Sequence, residues 1–191
     1  MNILDAPVYG QRDAPWAAEH LGYPNAARTS TIGRYGCAIT AIGQKLTLLG
    51  FSTTPLQVQE QFMARMAFRT DLSRNLVDWP KVPKVYGQLR FNGRRDYAAK
   101  VPVPDAVMQM IFERLCRNDP VIVYVDAERY VGGLQQHFVL VIAESEGGGL
   151  LIANPWNGKV QDLRAYADTD RVAIRGVIFL DQNVDPSKVR G

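Results

Sequence analysis

A chain of 191 residues and 21.3 kDa fits one domain, at about 100–200 residues per domain. At that size roughly 70% of the unfolded surface is buried on folding, so neither disulfides nor a structural metal is required. The content of 47% apolar and 21% charged residues excludes a disordered chain. No apolar run approaches the roughly 18 residues a membrane span needs, and the opening MNILDAPVYG lacks the basic-then-apolar order of a secretory signal. The net charge of +3 is spread thinly. Arg94, Arg95 and Lys100 form the densest group, read here as a solvated loop. A nucleic-acid binder would carry a basic stripe interleaved with aromatics, so no nucleic acid is expected as partner.

In chain order, residues 1–36 are irregular, punctuated by Gly10, Pro15, Gly22, Pro24, Gly33 and Gly36. Ala38, Ile42, Leu46 and Leu49 recur at helical spacing, which predicts a helix from Cys37 to Leu49 stopped by Gly50. Thr54 with Gln57 three residues on, and Pro55 between them, predicts a capping box opening a second helix that runs to about Phe68. A short helix is expected near Leu72–Trp79, followed by loop to about residue 102. Pro104 opens a third helix carrying Val107, Ile111, Phe112 and Leu115. Beyond Asn118 the period becomes extended, and strands are expected at Pro120–Val125, His137–Ala143, Leu150–Ala153 and Val172–Leu180, with a turn at Glu146–Gly149. Helices in front and strands behind suggest one α+β domain with an antiparallel sheet.

Cysteine and histidine are scarce: Cys37, Cys116, His20 and His137. No C-x-x-C or H-x-x-x-H spacing supports a zinc cage, and nothing demands a disulfide. A lone cysteine with a distant histidine is a candidate nucleophile and base. Cys37, in RYGCAIT, stands at a helix start. Unpaired N–H groups and the positive end of the helix dipole there favour a thiolate and a lowered pKa. Gly36 before it would permit a sharp turn and leave room for a substrate. Read singly, Cys37 is more readily a small buried apolar residue. His137, after GGLQQ, stands at a strand start, where a structural role is the plain alternative. His20 is the weaker candidate. Asn154, between LLIA and Pro155, is either a turn former or a group that orients His137, and Trp156 could shield that bond from water. Gln11 is either a surface glutamine or a donor to an oxyanion beside the Cys37 N–H. Asp13 and Trp16 look like a turn cap and an aromatic anchor. Cys116 has at most a packing role.

Together, Cys37, His137 and Asn154 follow the order of an activated thiol nucleophile, its base and an orienting group. The segments YGQRDAPW at 9–16, TIGRYGCAIT at 31–40, HFVLVIA at 137–143 and NPWNG at 154–158 resemble the papain-fold cysteine peptidases of the bacteriocin-processing (double-glycine leader) type, in their stand-alone bacterial and phage branch. The resemblance covers about residues 9–180, with weaker similarity in TPLQVQEQF and WPKVPKVYG.

It implies a papain-like α+β fold in which the nucleophile helix packs on an antiparallel sheet. It also implies Cys37 as nucleophile, His137 as base and then acid, Asn154 as orienter and Gln11 as oxyanion donor, with no metal or organic cofactor. Two positions depart from the family: the third triad member is usually Asp, and the glutamine usually stands only a few residues before the cysteine. The implied partner is a peptide or the peptide cross-links of peptidoglycan, with the protein cytoplasmic or carried in a phage virion. A non-catalytic component of a phage tail or similar assembly, and acyl transfer to an amine, are the alternatives. The stretch 80–102 and residues 132–136 are expected to wall the cleft.

Overall fold

The computed structural model describes residues 8–71, 73–128 and 133–183. Six strands form one antiparallel sheet: β1 (Leu89–Asp96), β2 (Val121–Asp126), β3 (Gln136–Glu144), β4 (Leu150–Asn154), β5 (Lys159–Asp162) and β6 (Gly176–Gln182), in the spatial order β1-β6-β2-β3-β4-β5. The helices are α1 (Ile32–Tyr35), α2 (Cys37–Leu48), α3 (Pro55–Ala64), α4 (Val82–Val85), α5 (Asp105–Leu115) and α6 (Asp170–Ala173). The mixed α+β class expected from the sequence is therefore present.

The alternation of a strand explains why VIVYV is apolar at every position. Ile122 and Tyr124 join a cluster with α2, α3, Trp79 and Tyr86 on one side of the sheet. Val121, Val123 and Val125 join a second cluster with Val107 and Ile111 of α5 on the other. In β3, Phe138, Leu140 and Ile142 belong to the first cluster, and Val139 and Val141 to the second. The sheet is thus covered on both faces.

The predicted capping box is present. Thr54 Oγ1 accepts from the Gln57 amide, and Gln57 Oε1 accepts from the Thr54 N–H. The helix it opens ends at Ala64, earlier than Phe68. The expected helix at 72–79 is not formed. Leu72 lies outside the described residues, 73–78 are non-helical, and a 3₁₀ turn at Trp79–Lys81 leads into α4. The predicted start of the last strand at Val172 instead falls in α6.

The loop expected to carry Arg94 and Arg95 is largely β1, an edge strand paired to β6 and interrupted by a bulge between Phe91 and Gly93, the latter with φ +122°. Leu89 is its one buried residue. The Arg and Asn residues face outward, as an edge that resists pairing with other chains requires. β1 lies at the opposite side of the sheet from β4 and β5, so 89–96 is not placed as a wall of the cleft beside Asn154. Of the other predicted wall, residues 133–136 lead into β3, and Gly132 is outside the described residues.

α2 lies on β3 and buries Ile39, Ala41, Ile42 and Leu46 against the sheet. One charged residue of this helix, Lys45, is also sealed in. Its ammonium is paired with the Asp119 carboxylate and donates to the Pro120 carbonyl. Asp119 accepts a further bond from the Gln182 N–H at 3.1 Å. Burial pulls the lysine pKa down and Asp119 pulls it back up.

Candidate active site

Cys37, His137, Asn154 and Gln11 come from four separate parts of the chain. Cys37 opens α2, directly after Gly36. The backbone at Gly36 has φ −82°, which any residue adopts, so a left-handed turn is not why glycine stands there. A Cβ would instead run into the Ile32 carbonyl and side chain. The close approach of α1 to the start of α2 sets the direction in which Cys37 leaves the turn.

The sulfur lies against β3 at Phe138: main-chain amides of Phe138, Ala38 and Cys37 itself act on it in the direction that favours thiolate. Burial opposes them and prevails, so the thiol pKa is raised. The lowered value expected from the helix start alone is therefore corrected. The helix-end amides are present, but removing the sulfur from water outweighs them.

His137 and Asn154 stand where β3 begins and β4 ends. His137 Nε2 is 2.8 Å from Asn154 Oδ1, and the pair is buried. The same oxygen accepts the Trp156 N–H at 3.0 Å. A main-chain amide can only donate, so the atom facing it must be the carbonyl end of the Asn154 side chain. That fixes the amide, and the amide in turn fixes Nε2 as the protonated nitrogen of the imidazole. Nδ1 is left as the lone-pair nitrogen, with no hydrogen bond among the described residues. Trp156 meets the imidazole edge to face at 6.1 Å and 82°, where it can screen the His137–Asn154 bond as expected. Although 43% exposed, its ring carries the Arg12 guanidinium stacked 3.4 Å from its centroid.

Strand parity places His137 with Val139, on the α5 side of the sheet, whereas Cys37 packs with the opposite cluster. Tyr166 is the residue that reaches toward both. Tyr166, which packs with the α5-side cluster, interacts electrostatically with Cys37. Its hydroxyl accepts from Asn154 Nδ2 at 2.8 Å, and its ring lies 6.1 Å from that of His137.

Gln11 is 1% exposed and so is not a surface glutamine. Its N–H donates to the Pro155 carbonyl, and Nε2 donates to the Gly33 carbonyl at 3.0 Å. It therefore bridges the turn after Asn154 and α1, the helix that precedes Cys37. One Nε2 proton remains uncommitted, and Oε1 is sealed without a partner.

The residues read as structural are so placed. Asp13 accepts the Gly10 N–H at 2.7 Å, and the buried Trp16 donates to the Gly10 carbonyl at 2.8 Å. His20 bonds the Tyr23 carbonyl at 2.9 Å. Cys37 and Cys116 are both free thiols, and Cys116 is exposed. It lines a groove of about 610 Å³ along α5 with Met108 and Phe112, and this groove contains none of the four site residues. No group of metal-binding side chains is found among the described residues. Nor is any helix among them long and apolar enough to cross a membrane. Sequence reading passed over Tyr166, the Arg12 stack and the Lys45–Asp119 pair.

Burial holds the His137 imidazole below its ordinary value near 6.5, against the pull of Asn154. Between the two values the unfolded chain binds more protons than the folded one. Stability contributed by neutral His137 is thus present above about pH 6.5 and lost as the pH falls through that window. Urea unfolding at pH 7.5 and 5 should show this loss, and His137→Gln should flatten it.

No family model matches the chain, and no curated protein and no solved structure matches it.

Proposed function

We propose that the chain is a cysteine peptidase with a papain-like arrangement. Cys37 is the nucleophile, His137 the base and then acid, Asn154 the orienting group, and Gln11 an oxyanion donor with the Cys37 N–H. The observation that carries the reading is the buried 2.8 Å bond from His137 Nε2 to Asn154 Oδ1. The Trp156 N–H sets its direction, and it lies at the strand end against which the Cys37 sulfur sits.

The chemistry follows from the two shifted groups. A thiol pushed up and an imidazole pushed down rest as a neutral pair. The proton passes from sulfur to Nδ1 as sulfur attacks the carbonyl carbon. The new oxyanion is received by the Cys37 N–H at the start of α2 and the free Nε2 proton of Gln11. His137 returns the proton to the amine as the C–N bond breaks. Water, deprotonated by His137, then cleaves the thioester and restores the thiol. In apo enzymes such contacts are commonly loose and tighten only with substrate bound.

The substrate class we propose is the peptide cross-link of peptidoglycan. Incubating the purified chain with peptidoglycan should release new free amines, and prior treatment with iodoacetamide should stop the release. Absence of amine release from peptidoglycan and from peptide libraries would favour the non-catalytic role in an assembly.

The family's usual Asp offers a direct probe of Asn154. In Asn154→Asp, a carboxylate faces the imidazolium and should raise the His137 pKa by roughly 1–3 units. Alkylation of Cys37 at pH 6 should then become faster than in the parent chain, with exposed Cys116 as the internal reference. An unchanged rate would detach Asn154 from the thiol.

A further inference from the structure

We infer that Tyr166 is a positioning residue for the Cys37–His137 pair, because its hydroxyl holds the far end of the Asn154 amide and so keeps the near end directed at His137. The inference rests on the peptidase reading for its chemical meaning.

The Asn154 side chain has two unlike ends and is 2% exposed, so each end needs a partner inside the protein. The oxygen end receives His137 Nε2 and the Trp156 N–H. The nitrogen end donates to Tyr166 Oη. A phenol oxygen can accept that bond, so all three contacts agree on one orientation. Removing the phenol oxygen leaves a buried NH₂ with nothing to donate to, and the amide gains by turning toward water or toward its own backbone. The bond that fixes the imidazole tautomer is then lost with it. The Tyr166 ring also packs on the imidazole, at 46° between planes, and phenylalanine would preserve that packing. Burial keeps the phenol protonated, against the pull of Asn154. Tyr166 is placed by the 3₁₀ turn Leu163–Ala165 that follows β5, and by contacts with the α5-side cluster. A side chain from one face of the sheet thus sets the orientation of a pair whose sulfur comes from the other.

The test uses the full chain labelled with ¹⁵N at its histidine rings. There are two histidines, and His20, tied to the Tyr23 carbonyl, serves as the reference. In the parent chain His137 should appear as the Nε2–H tautomer. In Tyr166→Phe it should become a mixture of tautomers with a lower pKa. The rate of Cys37 alkylation at pH 7 should fall about tenfold, as one unit of imidazole pKa requires. In an Asn154→Ala background the same substitution should change neither readout, because the residue through which it acts is gone.

A Tyr166→Phe chain that melts earlier but keeps the parent tautomer, pKa and alkylation rate would reduce Tyr166 to packing and overturn the inference. So would an equal effect with and without Asn154. One measurement needs no variant: the Asn154 Nδ2 protons of the parent chain should be protected from solvent exchange, and rapid exchange would overturn the inference even if Tyr166→Phe did not fold. Failure of the peptidase reading is separate. It would appear as no turnover in the parent chain, while the tautomer of His137 in Tyr166→Phe would still decide the role of Tyr166.

Discussion

Cys37→Ala is expected to lower hydrolysis by about four to six orders of magnitude, the range seen when a nucleophile is removed from a nucleophile–base unit. The sulfur forms the bond that the mechanism depends on, and alanine offers no substitute. His137→Ala should cost nearly as much, and the double variant hardly more, because the two side chains act in one step. Cys37 stands at the first position of its helix, and alanine removes only its sulfur, so the alanine variant should fold and melt close to the parent. Amine release from peptide substrate, corrected for fold by circular dichroism, is the measurement. Substantial turnover in Cys37→Ala would end the proposal, and loss of turnover with loss of fold would not count in its favour.

The largest effect on stability is expected at the other end of the same helix. Asp119→Ala would leave the Lys45 ammonium sealed in the core with the Pro120 carbonyl as its remaining partner. Breaking one side of a buried pair costs about 3–5 kcal/mol. For a chain of this length that lowers the melting temperature by on the order of 10 °C. Lys45→Met should cost less, since Asp119 keeps the Gln182 N–H and methionine fills similar space. Replacing both, as Lys45→Met with Asp119→Leu, should recover most of the loss, because the desolvation of two charges disappears with their attraction. Urea unfolding of the three variants gives the order directly. An Asp119→Ala chain within 1 kcal/mol of the parent would show that the ammonium has another partner or has lost its proton.

How much of this was legible beforehand depended on whether a residue's role shows in its neighbours along the chain. PVIVYV and HFVLVIA were readable because a strand covered on both faces needs an unbroken apolar run. Thr54 and Gln57 were readable because a capping box is local by construction. Asn154 stood out as a polar residue closing an apolar strand before a proline. β1 did not show: an edge strand with a single buried residue and three arginines has the composition of a loop. Lys45 was hidden for the opposite reason, since a lysine in KLTLLG reads as the polar face of a helix until Asp119, far along the chain, covers it. Tyr166 carried no signal at all. It lies in AYADTD, where nothing is periodic, and its partner is identified only once β4 and β5 are paired. The pKa of Cys37 was misjudged because the helix end is visible in sequence and the burial of the sulfur is not.

The bond from Gln11 to Pro155 and the bond from His137 to Asn154 have a consequence for the order in which this molecule comes into being. A ribosome delivers the thiol early and the last of its partners late. Until residues 154 and 155 have left the exit tunnel, the growing polypeptide lacks the carbonyl that ties down Gln11 and the amide that His137 bonds. On the peptidase reading, competence to cut other chains cannot precede the strand that carries Asn154, and a fragment ending short of that strand should be inert however well its helices fold.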